Sequence, residues 1–148
     1  MCARYLSEVV GVLGILRYDM LIVPIWDGSH WTCGVVDLVN ERFEVYDSNT
    51  SSQASRNCDV FANTLTRFLK KYAAFIGSVT SASIPFHTWE RTFNTGPDGE
   101  QMPVQTDGSS CGVFMLAVME FRARDKPVRF TARQVPMFRR SIAYMLCE

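Results

Sequence analysis

Histidine is scarce in this chain of 148 residues, with two copies, and its five cysteines include no C-x-x-C pair. That argues against a zinc site, which draws on His and Cys at close paired spacing, and no cofactor is expected. Net charge is lacking as well. Fifteen basic residues balance fifteen acidic ones, so no whole-chain field draws the protein to nucleic acid. No apolar run reaches about 18 residues without a charge, the length a membrane-spanning helix requires. The stretch from Met1 to Leu16 is apolar but has no basic leader and no clear cleavage site, unlike a signal peptide. An odd set of free thiols in a chain too long to need staples indicates a reducing, intracellular setting.

What is present fits one globular domain across residues 1–148, with 47% apolar and 20% charged residues. Up to Val60 eight acids face four arginines, and from Gly112 onward seven basic residues face three acids; these read as solvated faces. No internal repeat or low-complexity segment interrupts the chain. Tyr5 to Leu16 has near-helical apolar spacing, weakened by Gly11 and Gly14. Met20 to Ile25 reads as a buried strand, Trp31 to Leu38 as a second and Arg42 to Asp47 as a third. A Ser/Asn loop is expected over residues 48–57, with Asp59 capping a helix whose apolar face is Phe61, Leu65, Phe68, Leu69 and Tyr72. Ser78 to Trp89 reads as extended and Asn94 to Glu100 as an exposed turn. Gly112 to Arg124 is apolar nearly all round, the pattern of a buried helix. The last helix opens at Thr131 with Gln134 as its capping-box partner, and Pro136 bends or restarts it.

The chemistry concentrates in Gln105-Thr-Asp-Gly-Ser-Ser-Cys111-Gly112, a glycine-rich turn running into that buried helix. The unpaired N–H groups and dipole of a helix start stabilise a thiolate, the nucleophilic form of cysteine. His30 precedes the second strand and Asp47 ends the third, 17 residues on. An antiparallel pairing brings both to one sheet edge, where the carboxylate orients the imidazole. His87 has no such carboxylate partner. Asp37, inside a strand, is expected to face solvent. Cys2, Cys33, Cys58 and Cys147 are expected to be buried and inert, and Trp26 and Trp89 to be packing or surface aromatics.

His30-Trp31, Tyr46-Asp47-Ser48 and Gln105 six residues before Cys111-Gly112 together resemble the ubiquitin-like-protein-specific cysteine proteases, the sentrin (SUMO) deconjugating family. Leu21 to Ile25 is similar to the strand before that family's His-Trp, and Phe130 to Arg140 to its closing helix. The resemblance implies an α+β, papain-like and adenain-like fold in which helices pack a small mixed sheet and the triad runs His, Asp, Cys. It implies Cys111 as nucleophile, His30 as general base and acid, Asp47 as the residue orienting His30, and Gln105 as oxyanion donor. Trp31 would be the lid of a tunnel narrow enough for a Gly-Gly tail alone, with Gly112 beside it at the substrate. The implied reaction is hydrolysis after the C-terminal diglycine of a ubiquitin-like modifier, SUMO first, in deconjugation or precursor maturation.

The protein is expected to be a monomer of the nucleus or cytoplasm, with no metal, nucleic-acid or membrane partner. The alternative is a non-catalytic or weakly catalytic module of the same fold that binds such a modifier. Asp107 stands where the family usually has Asn and Ser110 where it usually has Asp. The chain is expected to be short at its N-terminus relative to the family.

Overall fold

The computed structural model of the chain describes residues 18–49, 54–75 and 85–147. The expected helix over Tyr5–Leu16 lies outside them. Three consecutive strands form where β-branched and aromatic residues alternate: β1 (Met20–Trp26), β2 (Trp31–Asp37) and β3 (Arg42–Tyr46). β1 pairs antiparallel with β2 from Met20↔Asp37 to Trp26↔Trp31, and β2 pairs antiparallel with β3. Pro24 is tolerated because, among the described residues, β1 is an edge of the sheet. A fourth strand, β4 (Glu90–Phe93), joins β3 in parallel and makes the sheet mixed, in the order β1-β2-β3-β4. The sequence pattern did not announce it.

Helix α1 (Ala54–Phe75) starts five residues before Asp59, so Asp59 is not its cap; the carboxylate instead pairs with Arg91 of β4 at 2.6 Å. The expected loop over residues 48–57 is therefore helical from Ala54, with 50–53 outside the described residues. α1 lies on the sheet face formed by Val36 and Phe43, with Phe61, Ala62, Leu65, Phe68 and Leu69 in that core beside Phe86 and Trp89. Phe61 reaches the sheet because Gly34 has no side chain: a Cβ there would stand 2.3 Å from the ring. Of the segment expected to be extended, 78–84 lie outside the described residues and Pro85–Thr88 form a turn closed by Thr88 N–H on Pro85 O at 2.8 Å.

The opposite sheet face carries Cys33, Val35 and Tyr46 and is covered by α2 (Cys111–Ala123) through Val113, Phe114, Ala117 and Val118. Phe130 and Val135 complete this second core, Phe130 packing on both Phe114 and Phe121. Each large side chain buried this completely contributes about 1.5–3 kcal/mol. At the C-terminal end, Thr131 and Gln134 form the expected capping box around a single 3₁₀ turn, Ala132–Gln134. Helix α3 (Val135–Cys147) then starts, with Pro136 in its first turn where a missing N–H costs nothing. The proline thus marks a restart.

One strand residue reverses its expected side. Asp37 is buried at 3% exposure and does not face solvent. It accepts a hydrogen bond from Arg122 Nη2 of α2 at 3.3 Å, and Glu44 of β3 accepts another from the same nitrogen at 3.1 Å. Arg122 Nε lies 3.0 Å from Glu44 Oε2 with its N–H angled away, so that contact is ionic and not a hydrogen bond. The Tyr46 hydroxyl donates to Glu44 at 2.8 Å. Burial pushes the Glu44 carboxyl upward, against the opposing pull of Arg122, and raises the Tyr46 hydroxyl too. A cavity of about 540 Å³ lined by Tyr18, Asp37 and Arg122 opens at this end of β2. It is a strand's length from His30.

Candidate active site

The β1–β2 connection runs Asp27-Gly28-Ser29-His30, with Gly28 at φ 102°, a conformation open mainly to glycine. The Asp27 carboxylate closes this turn, accepting the N–H of Ser29 at 2.9 Å and of His30 at 2.8 Å. Those two N–H groups hold its carboxyl below the usual carboxylate range. The backbone of His30 is thereby fixed before its side chain makes any contact. The Asp-x-Ser spacing is the sequence signal for this turn.

His30 and Asp47 meet as the hairpin argument expects: Nε2 lies 2.6 Å from Asp47 Oδ1, both side chains being mostly buried. A carboxylate offers only acceptors, so Nε2 carries the hydrogen and Nδ1 is the nitrogen left to exchange a proton. Asp47 is held in turn. The Asn94 side chain accepts the Asp47 N–H at 2.6 Å and donates to its C=O at 2.7 Å, while Asp47 Oδ1 also accepts the Asn49 N–H at 2.7 Å. Asn94 occupies the left-handed region at φ 53° and is 7% exposed, directly after β4. Reading it as part of an exposed turn missed this buried clamp.

Asn94→Ala is expected to lower stability by about 2–4 kcal/mol, since it strands two buried backbone groups of Asp47. Asn94→Gly, which relieves the left-handed strain, should lose about 1 kcal/mol less. Urea unfolding of both variants checks this, and equal stability to the parent would show that the clamp carries no energy.

Cys111 opens α2 and is partly exposed. Ser110, the N-cap residue, makes no side-chain cap, and its C=O takes the N–H groups of Val113 and Phe114 at 2.9 and 3.0 Å. Its hydroxyl turns instead to Asp107 Oδ2 at 2.6 Å and accepts from Arg139 Nη2 of α3 at 3.1 Å. Arg139 also donates to Ser109 C=O at 3.1 Å, tying the turn before the nucleophile to the closing helix. The Ser110 hydroxyl and the Ser109 N–H hold the Asp107 carboxyl below its usual range. The exchanged residues 107 and 110 thus keep one carboxylate hydrogen-bonded to its partner across this turn.

Gln105 is anchored from both ends: Oε1 accepts from the Ser48 hydroxyl at 2.5 Å and Nε2 donates to Asp107 C=O at 2.7 Å. Ser48 adjoins Asp47, so the hairpin end and the nucleophile turn are stitched together here. Gln101 lies apart, donating to Thr95 at 2.6 Å. Trp31 spans the remaining gap: a Cβ added at Gly112 would stand 3.6 Å from Trp31 Cδ1. The strand that follows His30 therefore faces the helix turn that carries Cys111.

Among the other thiols, Cys33 and Cys58 are buried, which pushes them up to about 12 and about 11 respectively. Cys147 is exposed, contrary to its expected burial, because α3 turns that end to solvent; Cys2 lies outside the described residues. His87 is exposed. Among the described residues no group of three or more His, Cys, Asp or Glu side chains could hold a metal, and no helix is long and apolar enough to cross a membrane.

The chain is 28% identical over 133 residues to Sentrin-specific protease 2 of Pongo abelii, covering 89% of this chain and 20% of that protein. It is 29% identical over 134 residues to a Sentrin-specific protease of Caenorhabditis elegans, covering 88% of this chain and 17% of that one. The chain spans a fifth or less of the length of these curated relatives. Among solved structures, the Chaetomium thermophilum Ulp1-like SUMO protease catalytic domain superposes with a TM-score of 0.68 at 25% identity, over 96% of this chain and 51% of that one. The C-terminal Ulp1 protease domain in complex with Smt3, the yeast ortholog of SUMO, gives 0.66 at 21% identity, over 95% and 62%. These neighbours share the α+β architecture, helices packed on a small mixed sheet. The model of the Ulp1 protease family's C-terminal catalytic domain matches residues 14–148, and the chain belongs to that family.

Proposed function

We propose that the chain is a cysteine protease that hydrolyses the bond after the C-terminal Gly-Gly of a ubiquitin-like modifier, SUMO foremost. The carrying observation is the 2.6 Å His30–Asp47 pair at the sheet edge whose next residue, Trp31, faces the start of α2, where a Cβ on Gly112 would come within 3.6 Å of its ring. With Nε2 committed to Asp47, His30 Nδ1 takes the Cys111 proton, and the thiolate sulfur attacks the carbonyl carbon of the terminal glycine. The carbonyl π electrons move to oxygen. As they return, the C–N bond breaks and His30 gives the proton to the departing amine, leaving a thioester on Cys111. Water, deprotonated by the same imidazole, attacks that thioester and frees the carboxylate and the thiol.

Gln105 suits the oxyanion role because one of its two amide hydrogens is spent on Asp107 C=O and the other is left to donate. The backbone N–H of Cys111, at a helix start without a side-chain cap, is the second donor. A donor of this kind contributes about 3 kcal/mol in the transition state. Support for SUMO comes from the relatives, which are named as Sentrin-specific and SUMO proteases. The test is incubation with SUMO and ubiquitin precursors that carry residues beyond Gly-Gly, read by intact mass. Scission of the SUMO precursor directly after the diglycine is expected. Binding of SUMO without scission would instead establish a binding module.

A further inference from the structure

Trp26 is unlike the other aromatics of the sheet. It ends β1, the last cross-strand pair of the β1–β2 ladder is Trp26↔Trp31, and it is 50% exposed. Its ring lies with its centroid 4.9 Å from that of Trp31, tilted by 38°. Directly opposed residues of an antiparallel pair project from the same sheet face, so both indoles stand on the side that α2 covers. Trp31 is itself 36% exposed and in reach of Gly112. A continuous series of neighbours thus runs outward from the residue beside the nucleophile: Gly112, then Trp31 facing it, then Trp26 against Trp31. Among the described residues, neither of the two buried clusters that cover the sheet faces includes Trp26.

The two indoles also bracket the turn that presents His30. Residues 27–30 connect them, and Asp27 fixes that turn through Ser29 and His30. An indole pair is broad and stiff, with only two side-chain torsions per ring, so it holds a wall in place at small conformational cost. A ring free to swing yields to a side chain pressed against it; one held by a neighbouring ring does not.

We propose that Trp26 is a positioning residue that holds Trp31 in place, so that the paired indoles set the selectivity of the channel for glycine. The proposal deepens the diglycine reading above and rests on it. It names a specificity determinant beyond the triad, and one that acts through Trp31 without touching the reacting atoms.

The experiment compares the parent, Trp26→Ala and Trp26→Phe on two SUMO precursors, one ending its tail in Gly-Gly and one in Ala-Gly before the scissile bond. One methyl group against a closed wall is worth roughly 10–200-fold in kcat/KM. The parent should discriminate within that range, Trp26→Ala should lose at least about tenfold of the ratio, and Trp26→Phe should restore most of it. Circular dichroism gives a second readout independent of turnover: coupled indoles produce a pair of oppositely signed bands, present in the parent and absent from Trp26→Ala. A parent that cleaves Gly-Gly tails with a ratio unchanged in Trp26→Ala overturns this proposal alone, as does the absence of the band pair. A parent that cleaves neither precursor overturns the diglycine reading, and the proposal with it.

Discussion

Cys111→Ala should reduce turnover of a Gly-Gly-ended modifier by about 10⁴–10⁶-fold while leaving modifier binding largely intact. The drop is that large because the nucleophile and its base act as a unit: without the thiol, His30 has only water to activate, a far weaker nucleophile than a thiolate. Nor can the buried thiols stand in. Burial holds Cys33 up at about 12 and Cys58 at about 11, so neither yields thiolate at neutral pH. Both also point at backbone, Cys33 Sγ donating to Gly34 C=O at 3.8 Å and Cys58 Sγ to Thr92 C=O at 3.2 Å. Progress curves of parent and variant at equal protein concentration decide the matter. Turnover of the variant near that of the parent would remove Cys111 from the chemistry.

The largest expected effect on stability is at Arg122. Arg122→Ala should cost about 3–5 kcal/mol, because it leaves the carboxylates of Asp37 and Glu44 buried without their shared cation. The loss should depend on pH in a definite direction. Burial already raises Glu44 in the folded protein. A raised carboxyl contributes stability that is fully present below its unfolded value of about 4.3 and is lost as pH rises through the folded value. Arg122 is the main opposing influence on Glu44, so its removal moves the folded value higher and widens the window of loss. The gap between parent and variant should therefore be greatest at neutral pH and shrink as pH falls, where Glu44 takes up a proton. Urea unfolding at about pH 7.5 and about pH 5 checks both size and sign. A gap that grows in acid would contradict the assignment of the buried charge to Glu44.

Asp37 shows why part of this fold was illegible in the sequence. A charged residue in a strand reads as solvent-facing, and only a partner 85 residues away, Arg122, reverses that. β4 was missed for a related reason. Its residues Glu90-Arg-Thr-Phe93 have a weak apolar pattern, and its parallel pairing with β3 needs a crossover through α1 that no local signal encodes. The first three strands were legible because alternation and turn residues are local. The His30–Asp47 pair was legible for the same reason, since 17 residues are what two short strands and a turn require.

What the spacing could not reveal is how the site is braced. Asn94, Asp27 and Ser48 each fix a site residue, and Arg139 fixes the turn before Cys111, through hydrogen bonds made across a turn or between distant elements. Asn94 sits in a run whose turn chemistry already explains it, and the turn signal at Asp27 points to its own loop, not to His30. Arg139 lies on an exposed helix face where a basic residue is ordinary. The two exchanged residues, Asp107 and Ser110, could be seen in sequence, but that they bond to each other at 2.6 Å is a property of the folded turn.

The central claim is that Cys111 is the thiol presented to a diglycine carbonyl. SUMO carrying an electrophile in place of its terminal carboxylate tests it most directly, with the adduct located by peptide mass. One adduct per chain is predicted, on Cys111, and none on Cys111→Ala. Modification of another cysteine, or of no residue in a chain that binds the modifier, would contradict it.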